Sequence, residues 1–182
     1  RFPSVKRLVV LRKEDKEKLE KEFPNVRFDY GEEGILSLIR YAPADMVVNA
    51  IVGFAGLLPS LEALRQNKIL CLANKESLVV GGFFLRKLLS EGHGVLYPID
   101  SEHVALAKCL KMAPLSMVEE LILTGSGGSF RNKKRDELLH VTPAEALRHP
   151  TWKMGARITI DCATMMNKGF EMIEAHWLFG CP

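Results

Sequence analysis

The chain has 182 residues, 47% of them apolar, enough to bury a core and to fill one domain or parts of two. Its net charge of +3 comes from Lys and Arg spread among Asp and Glu, and the one dense basic run, Arg131 to Arg135, is short, which argues against nucleic-acid binding. The longest uncharged stretch, Met46 to Leu61, contains Asn, Gly and Pro and falls short of the roughly 20 apolar residues a membrane span needs, so no membrane partner is expected.

The pattern predicts strands and helices in alternation. Leu8 to Leu11 is a strand and the charged, periodic segment Glu14 to Phe23 an exposed helix. Asp45 to Val52, Ile69 to Ala73 and Val95 to Ile99 are strands, separated by helices over Gly56 to Gln66 and Glu76 to Ser90. Apolar strands linked by helices imply a parallel sheet covered on both faces. After Asp100 the texture changes. A helix is expected over Ser101 to Met112, a strand over Glu119 to Thr124, a Gly-rich and then basic loop, a helix near Pro143 to Arg148, a strand over Arg157 to Asp161 and a helix over Ala163 to Leu178. The fold class is therefore α/β, a partial Rossmann-like parallel sheet followed by an α+β domain, with the boundary close to Asp100.

Cys71, Cys109, Cys162 and Cys181 show neither a C-x-x-C pair nor a finger spacing, so reduced thiols in a cytosol-like compartment are expected. The opening Arg1-Phe2-Pro3-Ser4 offers no initiator Met and no signal-peptide core, and is expected to be a cut into a longer chain.

Polar residues gather where strands end and helices begin: Asn74-Lys75-Glu76-Ser77, Asp100-Ser101-Glu102-His103 and Gly125-Ser126-Gly127-Gly128. In open α/β sheets ligands bind at the carboxyl ends of strands. Helix capping accounts equally well for any one junction. Asp100 and Glu102 point to the same side of an extended segment, and carboxylates suit Mg²⁺ or Mn²⁺; Glu171, sharing a helix face with Asn167 and Lys168, offers a third ligand. A solvated or capping pair is the plain alternative. The glycine loop 125–129 has the make-up of an anion nest or of an ordinary turn, and lacks a P-loop's Gly-Lys-Ser/Thr. His149 to Gly155 reads as a loop whose Trp152 and Met154 either close over a ligand or fill a core. His93, His103, His140 and His176 lack a metal-ligand spacing and are expected to be structural or exposed, and no G-x-S-x-G elbow is present.

Taken together, Leu72-Ala-Asn-Lys-Glu-Ser-Leu78, Pro98-Ile-Asp-Ser-Glu-His103, Leu123-Thr-Gly-Ser-Gly-Gly128, His149-Pro-Thr-Trp-Lys-Met-Gly155 and Asp161-Cys-Ala-Thr-Met-Met-Asn-Lys-Gly169 resemble the 1-deoxy-D-xylulose 5-phosphate reductoisomerase family. The resemblance runs from about Asp45 to Phe179. It implies an NADPH- and divalent-metal-dependent rearrangement and reduction of a sugar phosphate, giving 2-C-methyl-D-erythritol 4-phosphate in non-mevalonate isoprenoid biosynthesis. It further implies that residues 1–100 are the C-terminal part of an NADPH-binding domain and 101–182 an incomplete catalytic domain. By this resemblance Asp100, Glu102 and Glu171 hold Mg²⁺ or Mn²⁺, and Lys75 lies beside the reacting centre. Ser101 contacts substrate, while Ser126, Cys162, Asn167 and Lys168 hold the phosphate. His149 touches substrate from a flap carrying Trp152 and Met154, and Asn74, Glu76 and Gly155 face NADPH. A homodimer in a bacterial cytoplasm or a plastid stroma is implied as well.

Two departures stand out. The family's Asp-Ser-Ala-Thr reads Asp161-Cys162-Ala163-Thr164 here, and a thiol is the poorer hydrogen-bond donor to phosphate. No Gly-rich Rossmann turn is present, so weak NADPH binding and little or no turnover are expected of this chain alone. A non-catalytic sugar-phosphate or metal-binding module and a structural dimerisation domain are the other readings. Retention of Lys75, Asp100, Glu102, His149 and Glu171 together argues against the first, and the polar junctions give no support to the second.

Overall fold

A computed structural model of the chain describes residues 2–112 and 114–180, which fall into two compact units divided between Tyr97 and Pro98. Cys181 lies outside the described residues, and among those described no disulfide forms.

In the first unit β1 (Arg7–Val10) leads into α1 (Lys13–Glu22), which returns the chain to β2 (Arg27–Tyr30), parallel to β1 with Arg7 opposite Arg27 and Val10 opposite Tyr30. Helix α1 buries no residue and carries the ion pairs Lys13–Glu17 and Lys16–Glu20 one turn apart, as its charged periodicity requires. After α2 (Gly31–Tyr41), β3 (Met46–Asn49) passes through a 3-10 turn (Gly53–Gly56) into α3 (Leu57–Arg65). Strand β4 (Ile69–Leu72) is parallel to β3, and after α4 (Lys75–Ser90) β5 (Val95–Pro98) completes a three-stranded sheet in the order β3-β4-β5. The helix-linked parallel strands make this unit Rossmann-like α/β.

Leu57, Leu61 and Leu64 of α3, Leu70 and Leu72 of β4, and Leu78 and Leu85 of α4 form its core. Each such side chain contributes on the order of 1.5–3 kcal/mol relative to exposure. Helices α3 and α4 approach closely because Gly81 has no side chain: a Cβ there would stand 2.3 Å from Leu57 Cδ1. Helix α4 kinks at the same residue. Arg40 ties α2 to α3 through Glu62, with Nε 2.9 Å from a carboxylate oxygen that is almost sealed from water. That hydrogen bond holds the Glu62 carboxyl below the usual carboxylate range against the opposing effect of burial.

In the second unit Asp100 caps α5 (Ser101–Leu110), its Oδ1 accepting from the Ser101 backbone N–H at 3.1 Å. Short 3-10 turns follow at Leu115–Met117 and Arg135–His140, then α6 (Pro143–Ala146), α7 (Ala156–Ala163) and α8 (Met166–Phe179). Helix α6 begins with a capping box in which Thr142 and Glu145 exchange side-chain and backbone hydrogen bonds.

Two expectations are corrected here. Residues 119–124 form no strand: the apolar run Leu121-Ile122-Leu123 is present, but among the described residues of this unit no other strand offers a ladder, and Ile122 stays 69% exposed. Residues 157–161 are helical. Their β-branched alternation gives way to packing of α7 on α8, which buries Thr159, and the Thr159 hydroxyl donates back to the Gly155 carbonyl at 2.8 Å. The buried side chains of this unit include Leu106 and Ala175 but also His103, Thr159, Glu171 and Glu174, an unusually polar interior. Among the described residues no helix is long and apolar enough to cross a membrane.

A candidate metal and phosphate site

The second unit brings three carboxylates together. Asp100 and Glu102 stand at the start of α5, and Glu171 projects from the second turn of α8. One oxygen from each lies within 4.8 Å of the others. Asp100 spends Oδ1 on capping, so capping and ligation are compatible uses of one side chain. Ser101 Oγ donates to Glu102 Oε2 at 2.6 Å. Glu171 is 1% exposed, and its Oε1 accepts from Asn167 Nδ2 at 2.6 Å. Burying a carboxylate is costly without a compensating charge, and three converging oxygen donors with no sulfur among them suit Mg²⁺ or Mn²⁺.

Lys168 supplies a positive charge at this cluster. Its ammonium forms a short ion pair with Glu171 Oε2, lies 3.6 Å from Glu102 Oε1 and donates to the Thr124 carbonyl. The stem passes so close to the glycine loop that a Cβ on Gly125 would be 2.9 Å from Lys168 Cε.

That loop is built to present a hydroxyl. Gly127 and Gly128 adopt φ of +77° and +71°, conformations that favour glycine, and a Cβ on Gly128 would strike the Cys162 carbonyl oxygen at 2.1 Å. Ser126 Oγ accepts from the Gly128 backbone N–H at 3.1 Å and bonds His149 Nε2 at 2.9 Å. The backbone N–H groups of Thr151 and Trp152 donate to His149 Nδ1 at 3.2 and 2.9 Å. Backbone N–H groups only donate, so Nδ1 bears the lone pair and the neutral ring carries its hydrogen on Nε2. Ser126 Oγ therefore accepts twice, and its own hydrogen is left to point outward. Such a hydroxyl, on a loop whose Gly125 lies against the Lys168 stem, suits an anion such as phosphate.

Cys162 is half-buried on the last turn of α7, with its carbonyl against Gly128. Trp152 is 64% exposed and Met154 half-buried in the loop before α7, for which Gly155 is the N-cap. Asn74, Lys75 and Glu76 belong to the first unit. Asn74 Nδ2 reaches the carbonyls of Ile51 and Gly53 at 2.6 and 2.9 Å and Glu76 Oε2 at 3.0 Å, while its Oδ1 accepts from the Ser77 N–H at 2.9 Å. Lys75, next in sequence, is almost fully buried.

Pattern reading missed Glu174 and gave no role to His103. Asp100, His103 and Glu174 form a second group as close-set as the first and share Asp100 with it. Burial, the largest influence on the His103 ring, disfavours its charged form; hydrogen bonding to Asp100 and the charges of Glu174 and Asp100 outweigh that, so its pKa is raised. The available signal was spacing: His103 follows Asp100, and Glu174 follows Glu171, by three residues, one helical face in each case.

Residues 3–82 match the family model of 1-deoxy-D-xylulose 5-phosphate reductoisomerase, and residues 96–179 match the model of that enzyme's C-terminal domain. The chain belongs to the 1-deoxy-D-xylulose 5-phosphate reductoisomerase family. It is 51% identical over 173 residues to the reductoisomerase of Bacillus cereus strain AH187, covering 95% of this chain and 46% of that protein. It is 56% identical over 153 residues to the reductoisomerase of Geobacillus kaustophilus, covering 84% of this chain and 40% of that protein. The chain thus spans a little under half the length of the curated relatives it matches. Among solved reductoisomerases, that of Zymomonas mobilis in complex with NADPH superposes with a TM-score of 0.86 at 38% identity, over 97% of this chain and 46% of the other. Another, in complex with NADPH, fosmidomycin and magnesium, gives 0.83 at 36% identity over 96% and 46%.

Proposed function

We propose that this chain is the part of a 1-deoxy-D-xylulose 5-phosphate reductoisomerase that carries the divalent-cation and substrate-phosphate residues, in an enzyme that rearranges its sugar-phosphate substrate and reduces it with NADPH to 2-C-methyl-D-erythritol 4-phosphate. The observation that carries the reading is the convergence of Asp100, Glu102 and Glu171 within 4.8 Å, in a chain of this family. Residues 1–100 then serve the NADPH-binding domain and 101–182 the catalytic domain.

Asp100, Glu102 and Glu171 hold Mg²⁺ or Mn²⁺. When bound, the cation supplies Lewis-acid polarisation of the substrate's carbonyl and neighbouring hydroxyl, and NADPH supplies hydride. Ser101 orients substrate oxygens beside Glu102. The outward hydroxyl of Ser126, with Lys168, Asn167 and the weaker donor Cys162, binds the phosphate. His149 touches substrate and sets the base of a loop whose Trp152 and Met154 exclude water.

In the first unit we assign Lys75 to substrate and Asn74 and Glu76 to NADPH; separately, in the second unit, Gly155 is assigned to NADPH. The place of Asn74 and Glu76 at the carboxyl end of a parallel sheet suits a dinucleotide: Gly53 turns the chain at φ +76° and the Asn74 amide braces that turn. Asn74 serves the cofactor by shaping this backbone, since its amide is engaged within the unit. A homodimer in the cytoplasm of a bacterial cell, or in a plastid stroma, completes the reading.

The test, made on the full-length enzyme that carries this chain, is NADPH oxidation that requires both 1-deoxy-D-xylulose 5-phosphate and Mg²⁺ or Mn²⁺, with the product identified by mass. Glu171→Gln is expected to abolish it; turnover in that variant, or turnover indifferent to chelators, overturns the assignment.

A further inference from the structure

Next to the proposed cation ligands lies a buried polar contact that the proposed chemistry does not use. His103, one turn beyond Asp100 on α5, and Glu174, one turn beyond Glu171 on α8, are both fully buried. The imidazole Nε2 donates to the backbone carbonyl of Glu171 at 2.9 Å, which requires hydrogen on that nitrogen because a carbonyl only accepts. On the other side of the ring, Nδ1 is 3.2 Å from Glu174 Oε2 and 3.7 Å from Asp100 Oδ2. The ring face stacks on Phe179, with planes 13° apart and centroids at 6.1 Å.

One ring therefore touches the backbone of one proposed ligand and the side chain of another. Two of the three carboxylates come from the start of α5 and the third from α8, so their spacing depends on how these helices are joined. A buried ionisable pair is poor value as plain stabilisation, since apolar replacements of similar volume are often as stable or more so. Directional contacts, by contrast, fix a geometry that apolar packing leaves loose.

We propose that His103 and Glu174 are positioning residues for the cation site: Glu174 holds the imidazole in one orientation, and the imidazole sets Asp100 and Glu171 at the spacing a divalent ion needs. The inference rests on the cation reading of Asp100, Glu102 and Glu171. Groups behind metal ligands commonly change metal affinity by roughly 10- to 100-fold when removed.

The experiment is Mn²⁺ titration followed by the electron paramagnetic resonance of the free ion, on the protein and on Glu174→Gln, His103→Leu, His103→Gln and Glu171→Gln, each paired with a metal-free melt. Glu174→Gln and His103→Leu are expected to weaken Mn²⁺ binding by the folded protein by about 10- to 100-fold, whatever the fall in the metal-free melting temperature. His103→Gln, whose amide can still donate to the Glu171 carbonyl, is expected to recover part of the loss. Melts that fall while Mn²⁺ affinity in the folded protein stays at the parent value overturn the proposal. The isosteric Glu174→Gln change decides the matter should His103→Leu fail to fold. If the parent binds no Mn²⁺, or Glu171→Gln binds it equally well, the cation site is wrong and the inference falls with it. If Glu171→Gln loses Mn²⁺ while the other variants match the parent, the positioning role alone falls.

Discussion

Lys168 and Glu171, three residues apart on α8, form an ion pair whose ammonium also lies 3.6 Å from Glu102 Oε1. In the proposed cation site the lysine and a divalent cation would compete for the same two carboxylates. Removing the lysine charge raises the negative potential at the cluster and frees Glu171. Lys168→Met is therefore expected to bind Mn²⁺ about 5- to 10-fold tighter, roughly 1 kcal/mol, while losing affinity for inorganic phosphate. Titration with Mn²⁺ checks this; weaker Mn²⁺ binding would mean that Lys168 supports the cation instead of competing with it.

The proposed phosphate subsite makes an opposite pair of predictions. Ser126→Ala removes the outward hydroxyl and also strands the donors of Gly128 and His149 that meet it. A hydrogen bond to a charged group contributes about 1.5–3 kcal/mol, so a loss of roughly 10- to 100-fold in phosphate affinity is expected. Cys162→Ser replaces a poor donor by a better one and is expected to tighten binding several-fold. Calorimetry with inorganic phosphate reads both, and an unchanged Cys162→Ser affinity would remove that residue from the subsite.

Glycines separate strain from slack. At Gly128 an alanine meets both a positive φ and a Cys162 carbonyl oxygen 2.1 Å away, and neither can relax without moving backbone. Gly128→Ala is expected to destabilise by about 3 kcal/mol or more. At Gly169, inside α8, the nearest atom to an added Cβ is Met166 Sδ at 3.8 Å. Gly169→Ala is expected to stabilise by about 0.5–1 kcal/mol. Denaturant melts of the two variants should move in opposite directions.

Glu145 provides a pH signature. The Thr142 backbone N–H, then the Thr142 hydroxyl and Lys133, hold its carboxyl well below the ordinary 4.5, at about 2. A depressed folded-state pKa stabilises the protein above the unfolded value and is lost as pH falls through the folded one. Glu145→Gln should therefore melt lower than the parent near neutral pH, with the gap closing as pH drops from about 5 towards 2. A gap that stays constant with pH would show that the capping geometry, and not the charge, accounts for the difference.

The legible parts of the fold were those whose local pattern matched their tertiary surroundings. Ile69–Leu72 and Lys75–Ser90 are a buried apolar strand and a long apolar helix, and both lie within two residues of where their composition puts them. Strand Arg27–Tyr30 was silent because charged residues alternate with its aromatics and it has only four residues. Residues 157–161 misled because Ile-Thr-Ile alternation favours a strand only where a partner strand exists, and here α8 is the partner. At the site, Asp100, Glu102 and Glu171 were visible as carboxylates beside strand ends and on a shared helix face. His103 and Glu174 were not, since polar residues three apart on a helix read as a solvated face until the packing turns them inward.

Anomalous diffraction from crystals of the protein grown with Mn²⁺ locates the cation itself. One manganese peak is expected, bonded to oxygens of Asp100, Glu102 and Glu171 at roughly 2.0–2.3 Å, distances suited to a small hard cation, with the Lys168 ammonium drawn away from Glu171. A protein crystallised in saturating Mn²⁺ with no peak among these three carboxylates, or with the ion bound elsewhere, would contradict the proposed cation site.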